Sequence, residues 1–115
     1  MSPAQTIIRK ALLTAGMEGG RQVDRVEIKQ IDFVPRQQTG LHLHTCPVVG
    51  YIARGTVLFQ IEGEPPRTLK EGDAFHEPAG ARILHFDNAS DRDPLTFIAF
   101  YLLGPDDREL ITMLD

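Results

Sequence analysis

The sequence predicts an all-β domain, a sandwich or barrel of short strands. Ten Gly and eight Pro punctuate its 115 residues. From Gly40 through Gly50, Gly55, Gly63, Pro65, Pro66, Gly72, Pro78, Gly80 and Pro94 to Gly104, they cut the chain into short segments. The runs between these breaks are rich in β-branched and aromatic residues. No strand-like run alternates with a helix-length one, so βα units are not indicated.

Taken in order, the N-terminal segment is ambiguous. Ile7, Ile8, Ala11 and Leu12 fit a helical stripe, while Ile7-Ile8 and Leu12-Leu13-Thr14 equally fit a strand. Residues 23–34 predict a strand with Val26 and Ile28 in one phase and Ile31 and Phe33 in the other, a change that a β-bulge would produce. Strands are predicted over 48–53, 57–61, 82–86 and 96–103. Pro105, followed by Asp106 and Asp107, starts a short C-terminal helix reaching Leu114, with acids at its positive end. With no repeat or low-complexity segment, residues 1–115 read as one domain whose barrel core spans about residues 25–103.

Composition narrows the partners. A chain that is 42% hydrophobic and 24% charged is ordinary globular material. Twelve Lys and Arg against sixteen Asp and Glu, a net charge of −4, supply no basic excess, so neither nucleic acid nor an anionic membrane is an expected partner. The single cysteine, Cys46, cannot form an intramolecular disulfide, and it reads either as a small buried residue or as a thiol ligand. No apolar run has membrane-span length and no signal peptide is evident, so a cytoplasmic location is expected. Several strands are apolar on both faces, residues 97–103 most of all. Their second cover is either a partner subunit, giving a two-fold homodimer, or the N-terminal strands of the same chain.

The chemistry concentrates in the histidines. His42 and His44, two apart on a strand, project to the same side and can chelate one metal ion. The same spacing also suits two surface polar residues on a half-exposed strand. Imidazole accepts Fe, Ni, Zn, Mn or Cu, so the pair leaves the metal open. Tyr51 and Gln60 are polar residues on otherwise apolar strands, positioned either as substrate-binding donors or as core-edge groups. No phosphate loop or nucleophile elbow is present.

The segment Gly40-Leu41-His42-Leu43-His44 through Gly55 resembles the first motif of the cupin superfamily, an HxH pair leading into an apolar strand that ends in Gly. The segment Gly72-Asp73-Ala74-Phe75-His76-Glu77-Pro78-Ala79-Gly80 resembles the second, a Gly-Asp turn, a strand and a Pro-x-Gly turn, and Asn88 stands where the family often shows Asn. The likeness is to small single-domain cupins. It implies a single jelly-roll β-barrel with a metal site in its mouth, built from three His and one Glu.

Two positions depart from that pattern: Val48 stands where the first motif carries Glu, and Ile83 where the second carries His. His85, two residues beyond Ile83, and His76, two before Pro78, are the candidates to restore a His-only site with His42 and His44. Each is otherwise a structural histidine, and a one-residue slip in register would turn it outward. Glu62, Glu77 and Asp87 are the nearby carboxylates; strand phase favours Asp87, which otherwise reads as a solvated strand-end acid before the Asn88 turn and is not assigned as a ligand.

Without a carboxylate the site would keep the full charge of a divalent ion and favour an anionic small organic ligand. The expected function is that of a divalent-metal-binding cupin of unknown substrate, acting as a dioxygenase, isomerase or decarboxylase. The alternative is a non-catalytic small-molecule-binding or sensory cupin with a degenerate, metal-free site. Catalytic residues are unassigned.

Overall fold

The computed structural model describes residues 6–114. Among these, nine strands and no helix occur. They are β1 (Arg25–Phe33), β2 (His42–Leu43), β3 (Val48–Arg54), β4 (Thr56–Ile61), β5 (Arg67–Lys70), β6 (Ala74–Glu77), β7 (Ile83–Asn88), β8 (Leu95–Leu103) and β9 (Thr112–Met113). Antiparallel pairing sorts them into a four-stranded sheet, β1-β8-β3-β6, and a five-stranded sheet, β5-β4-β7-β2-β9. The two pack face to face as a jelly roll.

Period-two burial shows which residues face the core. Along β8, Leu95, Phe97, Ala99, Tyr101 and Leu103 are buried, while the residues between them are only partly covered. Val48, Gly50 and Ile52 do the same on β3, and Phe75 and Glu77 on β6. Phe59, Phe75, Phe86 and Phe97 meet at the centre in edge-on and tilted pairs, with ring centroids 4.6–6.3 Å apart. Gly50 makes this packing possible, since a Cβ there would lie 2.0 Å from the Ile98 carbonyl and 2.7 Å from the Phe75 ring.

Three expectations about local structure are corrected. No C-terminal helix forms: residues 105–106 make a turn, and residues 112–113 become β9, with Leu114 N–H donating to Leu41 O. Pairing with the exposed edge of β2 satisfies this backbone better than a helix of fewer than three turns would. The β1 bulge is absent, because its register against β8 runs unbroken from Arg25↔Leu103 to Phe33↔Leu95. The two phases of β1 are its two faces, Ile31 and Phe33 packing against the core while Val26 and Ile28 point outward and stay exposed.

The N-terminal segment from residue 6 to 16 forms neither helix nor strand. Its Leu12 and Leu13 lie beside Val49, Tyr51 and Phe100 on the outside of the four-stranded sheet. No described helix is long and apolar enough to cross a membrane.

Candidate metal centre

His42 on β2 and His44 just after it project to the same side, with ring centroids 5.1 Å apart. Both are almost fully buried. Opposite them stands Glu77, the last residue of β6 and itself 4% exposed. His42 Nε2 lies 3.3 Å from Glu77 Oε2, and His44 Nε2 lies 3.3 Å from Glu77 Oε1, so one carboxylate spans both rings. One ligand atom from each of the three lies within 4.8 Å of the other two.

The other ring nitrogen of each histidine is tied to backbone. Nδ1 of His42 donates to Gly40 O at 2.8 Å, and Nδ1 of His44 donates to Leu110 O. A carbonyl only accepts, so in the neutral ring the proton sits on Nδ1 and the Nε2 lone pair faces Glu77. Two lone pairs aimed at a carboxylate repel unless a cation lies between them, either protons on the imidazoles or a metal ion. Gly40 holds its carbonyl in place from a left-handed backbone conformation, φ 93°, that other residues rarely adopt.

The electrostatics show the same need. Burial would drive the His42 proton off, but the bond to Glu77 and that to Gly40 outweigh it and hold the imidazole above its ordinary value. Burial would likewise raise Glu77, yet its contacts with His42 and His44 win and keep it an ionised carboxylate. Two imidazole nitrogens and one carboxylate are the donor set of the two-histidine-one-carboxylate centres that hold divalent transition metals and leave coordination positions open. The residues fit a metal ion.

These three residues form the floor of a cavity of about 220 Å³ between the sheets. Val48, Phe86, Phe97 and Ala99 line its inner part, with Ile31 and Phe33 of β1 on one side.

The other residues singled out in the sequence are not brought to this cavity. His76 precedes Glu77 on β6 and therefore faces the opposite side. There it lies under the N-terminal segment beside Met17 and Arg21, its Nε2 without a hydrogen-bond partner among the described residues. His85 fails for a different reason. The β4–β7 register shifts between Gln60↔His85 and Ile61↔Ile83, so Ile83 and Phe86 both face inward and His85 does not. Its side chain is 43% exposed, and its Nδ1 lies 2.8 Å from Asp87 Oδ2.

Asp87 is thus occupied on the outer face as well, and Glu62 pairs with Arg82 on the surface. Tyr51 points outward from β3 toward Leu12 and Leu13, and Gln60 donates from the outer face of β4 to Glu64 O. Neither lines the cavity. Cys46 is buried in the core, where burial and then Asp107 push its thiol up, which makes it a poor thiolate ligand.

The carboxylate that the sequence reading did not select is the one the fold supplies. Glu77 pairs directly with Val48 across β3 and β6, so the two side chains leave the same face at neighbouring points. A carboxylate thus reaches the histidine pair from the adjacent strand, beside the position that Val48 occupies. Only the strand register carries that information.

A family profile for the cupin domain matches residues 30–101, more than half of the chain. The chain belongs to the cupin family. No curated protein matches it. Among solved structures, the cupin is similar to the DMSP lyase DddQ from Ruegeria pomeroyi, with a TM-score of 0.66 and 22% identity over 78% of this chain and 43% of that one. It is also similar to an oxalate oxidase in complex with the substrate analogue glycolate, with a TM-score of 0.64 and 20% identity over 77% of this chain and 46% of that one. A cupin-like protein from Thermotoga maritima aligns with a TM-score of 0.62 and 26% identity over 77% of this chain and 64% of that one. The chain spans less than half the length of the lyase and the oxidase.

Proposed function

We propose that this cupin binds one divalent transition-metal ion through His42, His44 and Glu77 and uses it to transform a small organic molecule held in the cavity above. The observation that carries the reading is the pair of 3.3 Å approaches of His42 Nε2 and His44 Nε2 to the two oxygens of a single buried carboxylate. The metal, when bound, supplies Lewis acidity, and redox chemistry if it is iron or copper. Dioxygenase, isomerase and decarboxylase chemistries all remain within this reading.

The chain's own residues set the conditions. Gly40 and Leu110 carbonyls fix the two imidazoles in the tautomer that presents Nε2. Glu77 offsets one of the two positive charges, and the aromatic and aliphatic walls exclude water. The metal site is therefore two histidines and a glutamate, in place of the His-only set expected from sequence.

The protein is also proposed to act as a two-fold homodimer. Support comes from the outer face of β1, where Val26 and Ile28 are 49% and 62% exposed, and from Ile7 and Ile8, which are exposed on the N-terminal segment. Sedimentation at micromolar concentration tests this, and a monomer would refute it.

Elemental analysis of untagged protein, purified without chelator, tests the metal. Stoichiometric metal that is lost in His42→Ala/His44→Ala with the fold retained is the expected result. A protein that takes up none of Fe, Ni, Zn, Mn or Cu refutes the reading and leaves a metal-free binding module.

A further inference from the structure

Resting on that metal reading, the walls of the cavity define the class of molecule it admits. Seven of its twelve lining residues are hydrocarbon, and none is Lys, Arg, Asn, Gln or Ser. Of the polar ones, His42, His44 and Glu77 make up the floor. Thr39 has already committed its hydroxyl hydrogen to Phe86 O at 2.7 Å. That leaves the hydroxyl of Tyr101, whose ring stands 5.8 Å from that of His44, as the remaining side-chain donor in the wall.

Charge then limits the ligand. A divalent ion with two neutral imidazoles and one carboxylate keeps a single net positive charge, which one anionic oxygen cancels. A second carboxylate too far along the molecule to reach the same ion would have to be buried against hydrocarbon with no cation to meet it, at a prohibitive desolvation cost. Size is limited as well. A dry cavity of roughly 150 Å³ holds benzene, so the 220 Å³ here suits a molecule only slightly larger.

We propose that the natural ligand class is a small apolar monoanion, a benzoate-sized or shorter branched monocarboxylate, enolate or phenolate, whose one charged oxygen reaches the metal beside the Tyr101 hydroxyl while its hydrocarbon body fills the space between Phe33, Phe86 and Phe97. Dicarboxylates whose second carboxylate cannot reach the same ion, and small polar zwitterions, are excluded by the same walls. Tyr101 acts as a binding residue that donates to the charged oxygen.

The test loads the full chain with Co(II) and follows its visible d–d bands. Appearance of the bands reports metal binding on its own, and their absence in wild-type protein would overturn the metal reading and this inference with it. On the loaded protein, acetate, propionate, butyrate, pentanoate, benzoate and glutarate are titrated separately. Affinity should rise about fourfold per added methylene, the value of one buried CH2, or roughly sixty-fold from acetate to pentanoate. Benzoate should bind and glutarate, which carries a second carboxylate at the far end of the butyrate chain, should be weaker than butyrate. Tyr101→Phe should weaken every monocarboxylate by a similar factor and leave the methylene increment intact. A flat series, or glutarate binding more tightly than butyrate, with the cobalt bands present, overturns the ligand class and leaves the metal centre standing.

Discussion

Val48 and Glu77 face each other directly across the β3–β6 ladder, both side chains on the core side of the sheet and both almost fully buried. One is hydrocarbon and the other the carboxylate of the candidate centre. Because their backbones are register partners, exchanging them moves the carboxylate by one interstrand spacing while conserving the pair's composition. The exchange Val48→Glu/Glu77→Val should retain stoichiometric metal. Glu77→Val alone should lose it while still folding, as judged by circular dichroism and elemental analysis of the same samples. Loss of metal in both would mean that position 77 is irreplaceable.

The two outlying histidines give the opposite expectation. His76 sits behind the sheet and His85 faces outward beside Asp87. His76→Ala and His85→Ala should therefore leave metal content unchanged. The His85 change removes the partner of the nearly buried Asp87 carboxylate and should cost about 1–3 kcal/mol in stability without touching the metal. Depletion of metal in either variant would show that the ligand set has been misassigned.

Gly40 tests the support beneath His42. A side chain at its positive φ is strained, and a Cβ would meet the Met113 methyl at 3.1 Å. Gly40→Ala should cost about 1–3 kcal/mol in denaturant unfolding. It should also weaken metal affinity by about 10–100-fold through the displaced carbonyl.

Asp107 anchors the turn after β8. Its carboxylate accepts from Gly104 N–H at 2.8 Å and pairs with Arg21. Burial acts to raise it, but the Gly104 amide and then Thr45 and Arg21 prevail and hold it below the ordinary carboxylate value. A group depressed in the folded state contributes stability above its unfolded pKa, and that contribution is lost as pH falls through the folded value. Asp107→Asn should remove about 1–3 kcal/mol at neutral pH. The difference from wild type should shrink below about pH 4, where the unfolded-state carboxyl protonates, a trend that melting curves across pH will show.

Tyr101 has the reverse sign. Burial, with Glu77 nearby, pushes its phenol up to about 12. The folded state therefore resists forming the phenolate. The associated stability is intact below the unfolded value near pH 10 and is lost as pH rises above it. An ultraviolet titration should show a phenolate transition delayed to about pH 12 that disappears in Tyr101→Phe.

Much of the fold was legible because turns and periodicity are local. Gly and Pro marked the strand ends, and the strands over 48–54, 56–61, 83–88 and 95–103 fall within two residues of where the runs of β-formers place them. What was not legible depends on contacts across the chain. The C-terminal segment reads as helix from its Pro-Asp-Asp start, yet β2 needs an edge partner and recruits it as β9. At the site, His42 and His44 share a face by simple alternation. The third member, Glu77, depends on the pairing of β6 with β3, and His85 was misplaced by a register shift that no local pattern announces. Parity counted along one strand cannot compare phases between two strands, and that is why Asp87 looked better placed than Glu77.

The hydrogen bond from His44 to Leu110 O, together with the pairing of His42 with Met113, makes the C-terminal tail part of the centre's scaffold. The coupling is reciprocal: whatever steadies the imidazoles must steady the tail by the same free energy. Ion occupancy would thus be readable far from any chemistry, as slower amide exchange of Thr112 and Leu114. Conversely, a molecule that peeled the tail from β2 would release the ion without ever entering the cavity.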